Sequence, residues 1–268
     1  MKQPTFFLSH GGGPWPWMDG EFRQGHAQLE ASLQALPASL PAPPKAILMI
    51  SAHWEAPAFT VMTSARPGML YDYGGFPAHT YEVVYPAPGD PALAERVVGL
   101  IEAAGLPAAR DATRGFDHGA FCTLAPMYPD AQVPVVQLSL RRGLDPAEHL
   151  ALGRALAPLR EIGQDGGVLI LGSGFSFHNL SLMFNGRGQA PSVAFDAWLQ
   201  SALPAADGRA ERLAAWELAP AARQAHAREE HLLPLMVAAG AAEGEPGSCN
   251  YHQTDYLGGL TASSFRFG

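Results

Sequence analysis

Ten histidines stand in this chain of 268 residues, and their placement is the first sign of chemistry. Imidazole titrates near neutral pH and is the commonest metal ligand among side chains. Three histidines fall just past short apolar runs. His10 follows TFFLS, His53 follows AILMISA, and His178 follows VLILGSG and three further residues. In open α/β sheets, ligands and reacting groups gather at the carboxyl ends of the strands. Three unconnected segments bringing one residue type to one edge weigh more than any of them alone. A cluster of neutral imidazoles suits Zn, Fe, Cu or Ni. A catalytic centre of this kind keeps coordination positions open, whereas a structural one closes them.

Each histidine also has a plainer reading. His10 heads SHGGGP, whose glycines allow a sharp turn and close approach. As a phosphate cradle that loop lacks both the Lys-Ser/Thr ending and the GxGxxG spacing. His53, in SAHWE, reads equally as a buried histidine bonded to a carbonyl; Glu55 is either its orienting partner or a solvated charge. His118 lies in DHGAFCTLAP, where Asp117 either raises its basicity or simply caps a helix. His178 alone could be an exposed loop residue. His231 opens the apolar stretch HLLPLMVAAGAA and is turned inward, as a core residue or a ligand, and HExxH is absent. His226 and Glu230, four apart, read as a surface pair on one helix. His26 and His149 read as surface residues of amphipathic helices, and His79 and His252 as possible pocket residues. Trp15, Trp17, Tyr71, Tyr73 and Phe76 are either an aromatic wall for a flat ring or ordinary loop packing. Two rival chemistries find no motif: LGSGF is not the GxSxG of a serine hydrolase, and no carboxylate pair marks a glycosidase.

The elements that must carry these residues follow from the apolar pattern. Hydrophobic residues make up 47% and charged residues 16%, enough for a large core and too apolar for a disordered chain. Continuous apolar runs predict buried strands at 5–9, 46–51, 59–63, 133–140 and 168–172. Helices are predicted at 21–35, 91–104, 146–162, 192–203 and 220–241, with Asp90 and Asp145 as N-caps before Pro91 and Pro146. The alternation implies one α/β domain over residues 1–268, a central sheet flanked by helices. No repeat or long linker interrupts it. The Pro-rich stretch 36–44 reads as a surface connection, and 184–191 as a loose segment. The net charge of −8 gives no bulk attraction to nucleic acid or to an anionic membrane. No apolar run approaches the ~20 residues of a membrane span, and Phe6-Phe7-Leu8 is too short for a signal peptide. Two cysteines, Cys122 and Cys249, without CxxC make a reduced cytoplasmic protein the expectation. The oligomeric state is not legible.

SHGGGP, SAHW, YDYGGFP, FDHGAFCTLAPMYP, LGSG followed by HNL, and EHLLPL occur in that order. Together they resemble the class III extradiol ring-cleavage dioxygenases, the LigB superfamily, and most of all its 4,5-DOPA extradiol dioxygenase-like branch. The resemblance runs from His10 to the closing SSFRFG. It implies an α/β domain with a mixed sheet and a metal pocket at one end. It implies Fe(II) held by His10, His53 and His231, where protocatechuate-cleaving relatives have glutamate at the third position. It assigns His178 as the acid/base, also a possible fourth ligand where Zn is bound, and His118 as a histidine contacting substrate or oxygen. The implied substrates are a catechol and O₂, the product a ring-opened semialdehyde. Zn in a purified sample, a Zn hydrolase on the same scaffold and a Memo-like binding protein are the alternatives. Phe175, Ser176 and Phe177 are bulkier than the small residues usual before this histidine, which bears on substrate shape.

Overall fold

A computed structural model describes residues 1–163 and 167–268. Eight strands form one mixed sheet: β1 Thr5–Ser9, β2 Ala46–Ala56, β3 Phe59–Met62, β4 Ala108–Asp111, β5 Val135–Arg141, β6 Val168–Gly174, β7 Gly247–Tyr256 and β8 Leu260–Phe267. Their order across the sheet is β4-β3-β5-β2-β6-β1-β8-β7. The centre is parallel, with β5, β2, β6 and β1 side by side, while β8 runs antiparallel to β1. The helices are α1 Gly20–Gln24, α2 Ala27–Ala35, α3 Pro91–Ala103, α4 His118–Met127, α5 Pro146–Leu156, α6 Leu180–Met183, α7 Gln189–Ala202, α8 Arg209–Ala214, α9 Ala222–Ala225 and α10 Leu233–Ala241. This is the single α/β domain with a mixed sheet that the sequence implied.

Both faces of the central strands are covered, which is why they read as continuous apolar runs. Neighbouring residues of β6 show the two faces. A Cβ on Gly172 would meet the Pro234 carbonyl of α10 at 2.3 Å. The next residue, Ser173, donates its hydroxyl to the Gly119 carbonyl of α4 at 2.6 Å. All five predicted strands are present. β2 runs on past Ser51 to Ala56, and its pairing with β5 shifts register between Ile50 and Glu55. Asp90 and Asp145 cap α3 and α5 as expected, accepting from Leu93 N and from Ala147 and Glu148 N.

Several expectations need correction. The C-terminal hairpin β7–β8 and the edge strand β4 carry no continuous apolar run and were not anticipated. β7 alternates buried Tyr251 and Gln253 with exposed neighbours, as an edge strand with one wet face does. The helix predicted over 220–241 is two helices with a break, because α10 starts only at Leu233, with Pro234 in its first turn. Proline fits there, where its missing N–H is an orphan anyway, and not in a helix interior. The helix over 21–35 likewise breaks at Gly25–His26. Finally, His26, His149 and His226 are fully buried, not surface residues. Each ring makes at least one hydrogen bond to backbone. His149 uses Nδ1 on the Asp145 carbonyl and Nε2 on the Arg141 amide, and His226 Nε2 lies 3.1 Å from the Ser176 carbonyl.

Candidate metal centre and substrate cavity

The site lies where β1, β2 and β6 end. β1 stops at Ser9, and the His10 amide continues the ladder to the Gly174 carbonyl at 3.0 Å. The loop after His10 must then turn at once. Gly11 and Gly13 take φ of +80° and +49°, and a Cβ on either would sit within 2.6 Å of the Trp15 or Phe76 ring. Only glycine meets both demands. Trp15 closes the turn, its Nε1 donating to the His10 carbonyl at 2.7 Å. His53 sits on the irregular end of β2. His118 is the first residue of α4, which Asp117 caps through Ala120 N. His178 follows β6, its amide donating to the Ala225 carbonyl at 2.9 Å. His231 stands two residues before α10, its carbonyl accepting from Phe175 N.

These five histidines, separated by up to 221 positions, form one cluster. His10, His53 and His231 offer ring nitrogens all within 4.8 Å of one another. Their hydrogen bonds fix which nitrogen points where. Ser173 spends its proton on the Gly119 carbonyl, so it must accept from His10 Nδ1 at 3.1 Å. His53 Nδ1 faces Asp72 Oδ2 at 3.2 Å, and His231 Nδ1 faces Glu230 Oε1 at 3.0 Å. Each Nδ1 therefore donates, and each Nε2 keeps a lone pair. His10 Nε2 and His53 Nε2 lie 3.2 Å apart, and His231 Nε2 is buried with no hydrogen-bond partner. Lone pairs this close repel unless a cation lies among them. Desolvation, reinforced by neighbouring imidazoles, holds His10 and His231 well below the usual histidine range. Desolvation likewise leads in pulling His53 down to about 3. Neutral imidazoles with their second nitrogens held by a carboxylate or hydroxyl are what a metal needs from histidine.

The other two histidines flank this triad. The His118 ring is 4.0 Å from that of His53, centre to centre, and its Nδ1 lies 2.7 Å from Asp72 Oδ1. His178 stacks on His231 at 3.3 Å, with Nδ1 3.3 Å from Glu230 Oε1. Each carboxylate thus serves one triad histidine and one flanking histidine. Asp72 accepts three times, once from the His118 amide, and His118 and His53 draw it down to about 2 against the opposing effect of burial. Glu230 is also lowered: burial opposes the change, and the His178 hydrogen bond and Arg228 favour it.

Sequence reasoning missed both of these carboxylates. Glu55, the partner considered for His53, instead pairs with Arg228 through two 2.5 Å contacts. Asp117 is the cap rather than a partner of His118, buried on Ser51, Arg114 and Gln137. Glu230 does not pair with His226. For Asp72 a signal exists: it is the one acid within the YDYGGFP motif.

In front of the triad opens a cavity of about 260 Å³. All five histidines line it, with Gly11 to Gly13, Phe22, Phe76, Phe175, Tyr256 and residues of α6. Of the anticipated aromatic wall only Phe76 takes part. Trp15 is buried against His26, Trp17 packs on Phe121, and the Tyr71 and Tyr73 hydroxyls donate to Val83 and Thr80 carbonyls. His79 bonds the exposed Trp17 carbonyl, and His252 faces Asp196, both away from the cavity.

A neutral imidazole triad facing a small, ring-sized apolar cavity suits metal-assisted chemistry on an aromatic molecule. Residues 4–268 match the family described as the catalytic LigB subunit of aromatic ring-opening dioxygenase, and the chain belongs to that family. It is 40% identical to a 4,5-DOPA dioxygenase extradiol of Beta vulgaris, over 98% of this chain and 96% of that one. A protein of the same description from Portulaca grandiflora is also 40% identical, over 98% and 95%. A crystal structure of an uncharacterised protein from Escherichia coli K12 superimposes with a TM-score of 0.77 at 31% identity, covering all of both chains. Among the described residues no helix is long and apolar enough to cross a membrane.

Proposed function

We propose that this protein opens the ring of a catechol with O₂, as a mononuclear Fe(II) extradiol dioxygenase, and that His10, His53 and His231 hold the iron. The observation that carries this reading is the convergence of three Nε2 lone pairs whose Nδ1 atoms are already committed to Ser173, Asp72 and Glu230. Fe(II) bound there would supply open positions for the two catechol oxygens and for O₂, and the electron transfer that joins them. The ring C–C bond beside the diol breaks, and both oxygen atoms enter the semialdehyde product, so no outside reductant is consumed. His178 donates from Nδ1 to Glu230, so its Nε2 is free to take a catechol proton and return it later. His118, held by Asp72 in the same tautomer, faces the cavity from the other side as the contact for substrate or oxygen. The names of the plant relatives make DOPA the first catechol to try.

Oxygen uptake with a panel of catechols tests the reading, using metal-stripped protein reloaded anaerobically with Fe(II) and a Zn-loaded control. Uptake with a new visible absorbance in the Fe(II) sample alone is expected. No uptake at confirmed iron occupancy would count against it and favour a Zn hydrolase or a binding protein. A cytoplasmic location belongs to the same proposal.

A further inference from the structure

Beyond the histidines, the cavity walls hold no charged side chain. Phe22, Phe76, Phe175, Met183, Phe184 and Leu257 make up most of the remainder, and among the described residues no Asp, Glu, Lys or Arg lines it. The neighbouring charges are spent. Asp72 and Glu230 hold imidazoles, Arg228 lies on Glu55, and Arg23 pairs with Glu30 at 2.5 Å. The Tyr256 hydroxyl is also committed, lying 2.8 Å from His26 Nε2. That nitrogen also accepts from Gly12 N, while His26 Nδ1 donates to the Phe22 carbonyl. The rim continues the theme. Leu180 and Phe184 of the α6 segment are 57% and 71% exposed, large apolar side chains with nothing over them. Arg187, three residues past Phe184, is exposed and lies outside the lining.

We propose that the substrate of this site is a catechol whose ring substituent is uncharged and apolar, an alkyl- or aryl-catechol, rather than one bearing an amino-acid or carboxylate tail. The proposal rests on the ring-cleavage reading above. The diol occupies the histidine end, and the substituent lies along Phe76, Phe175 and Met183 and covers Leu180 and Phe184 at the mouth. Each methylene buried there improves binding roughly fourfold. A carboxylate or ammonium held against the same wall gives up part of its water and finds no charged partner among the lining side chains, which offsets that gain. Phe175, buried beside the His10 ring, shapes the floor toward a flat apolar group.

The test compares 4-propylcatechol with 3,4-dihydroxyphenylpropionate, which differs from it only at the end of the side chain, and adds DOPA and plain catechol. kcat/KM is measured on the Fe(II)-loaded enzyme. Kd is measured by calorimetry on the Zn-loaded protein, which cannot turn over. A kcat/KM for 4-propylcatechol at least about tenfold above those for the propionate and DOPA, with Kd in the same order, is the expected result. Equal or better binding of either charged catechol overturns the proposal. Absence of turnover with all four, at full iron occupancy, overturns the ring-cleavage reading instead, while the Kd order still decides the substituent preference.

Discussion

At the scale of single residues, the proposed function separates metal holding from proton handling, and substitutions should separate them too. His10→Ala, His53→Ala and His231→Ala each remove one of three converging Nε2 atoms and should abolish stable metal binding, read by metal analysis after gel filtration. His178→Ala should keep its metal and lose turnover by about 10²–10⁴, the usual range for general acid–base help. Equal metal loss in all four variants would make His178 a fourth ligand. Asp72→Asn keeps the size but breaks the paired acceptance from His53 and His118. Metal affinity should fall by about 10–100-fold, as when an outer partner of a ligating histidine is lost. An unchanged metal Kd would show that Asp72 does not orient His53.

At the scale of elements, the site depends on how closely β6 lies against the segment leading into α10. A Cβ on Gly174 would stand 2.1 Å from the His231 carbonyl, so backbone packs directly on backbone. Gly174→Ala must push that segment away and carry the His231 ring with it. We expect a stability loss of about 1–3 kcal/mol, as for other overpacked cores, together with weaker metal binding. Normal metal affinity in a folded Gly174→Ala protein would argue against this coupling. The same close packing explains why His231 is not on a helix. The break before Pro234 lets residues 226–232 run beside the turn after β6, bridged at His178 and His226. A continuous helix could not present His231 and brace His178 from one short segment.

At the scale of the whole molecule, buried histidines make the fold sensitive to acid. His26 and His149 are lowered to about 4 and His226 to about 3, chiefly because burial disfavours the charged ring. Unfolded, all three return to about 6.5. Between those values the unfolded chain binds more protons than the folded one, so stability falls as pH drops from about 6.5 toward 4. Each histidine removes about 1.4 kcal/mol by pH 5.5. Urea unfolding of the metal-loaded protein from pH 7.5 to 5.0 checks this, and a flat midpoint across that range would contradict it. Arg160 holds the other end of the sheet. It is 1% exposed and binds the Gln3 and Ala241 carbonyls and both oxygens of Glu245. Arg160→Ala leaves the Gln3 and Ala241 carbonyls unpaired in the interior and frees the partly exposed Glu245, and should cost about 2–4 kcal/mol, read in the same unfolding assay.

The sequence by itself determined the class of fold and the sheet edge at which His10, His53 and His178 gather, through local signals: apolar runs covered on both faces, glycine turns directly after them, aspartate caps before proline. His118 and His231 stood out only through the family resemblance of FDHGAF and EHLLPL. Tertiary structure alone decided the partners. Asp72 lies 46 positions from His118, and Glu230 reaches His178 across 52, so neither pairing leaves a mark in sequence spacing. The burial of His26, His149 and His226 was equally hidden. A polar ring looks like surface until the backbone groups that satisfy it come together, and those come from Gly12, Arg141 and Ser176. The β7–β8 hairpin escaped for a related reason. Its outer strand is half wet and polar, and only pairing through β8 with β1 makes it part of the sheet.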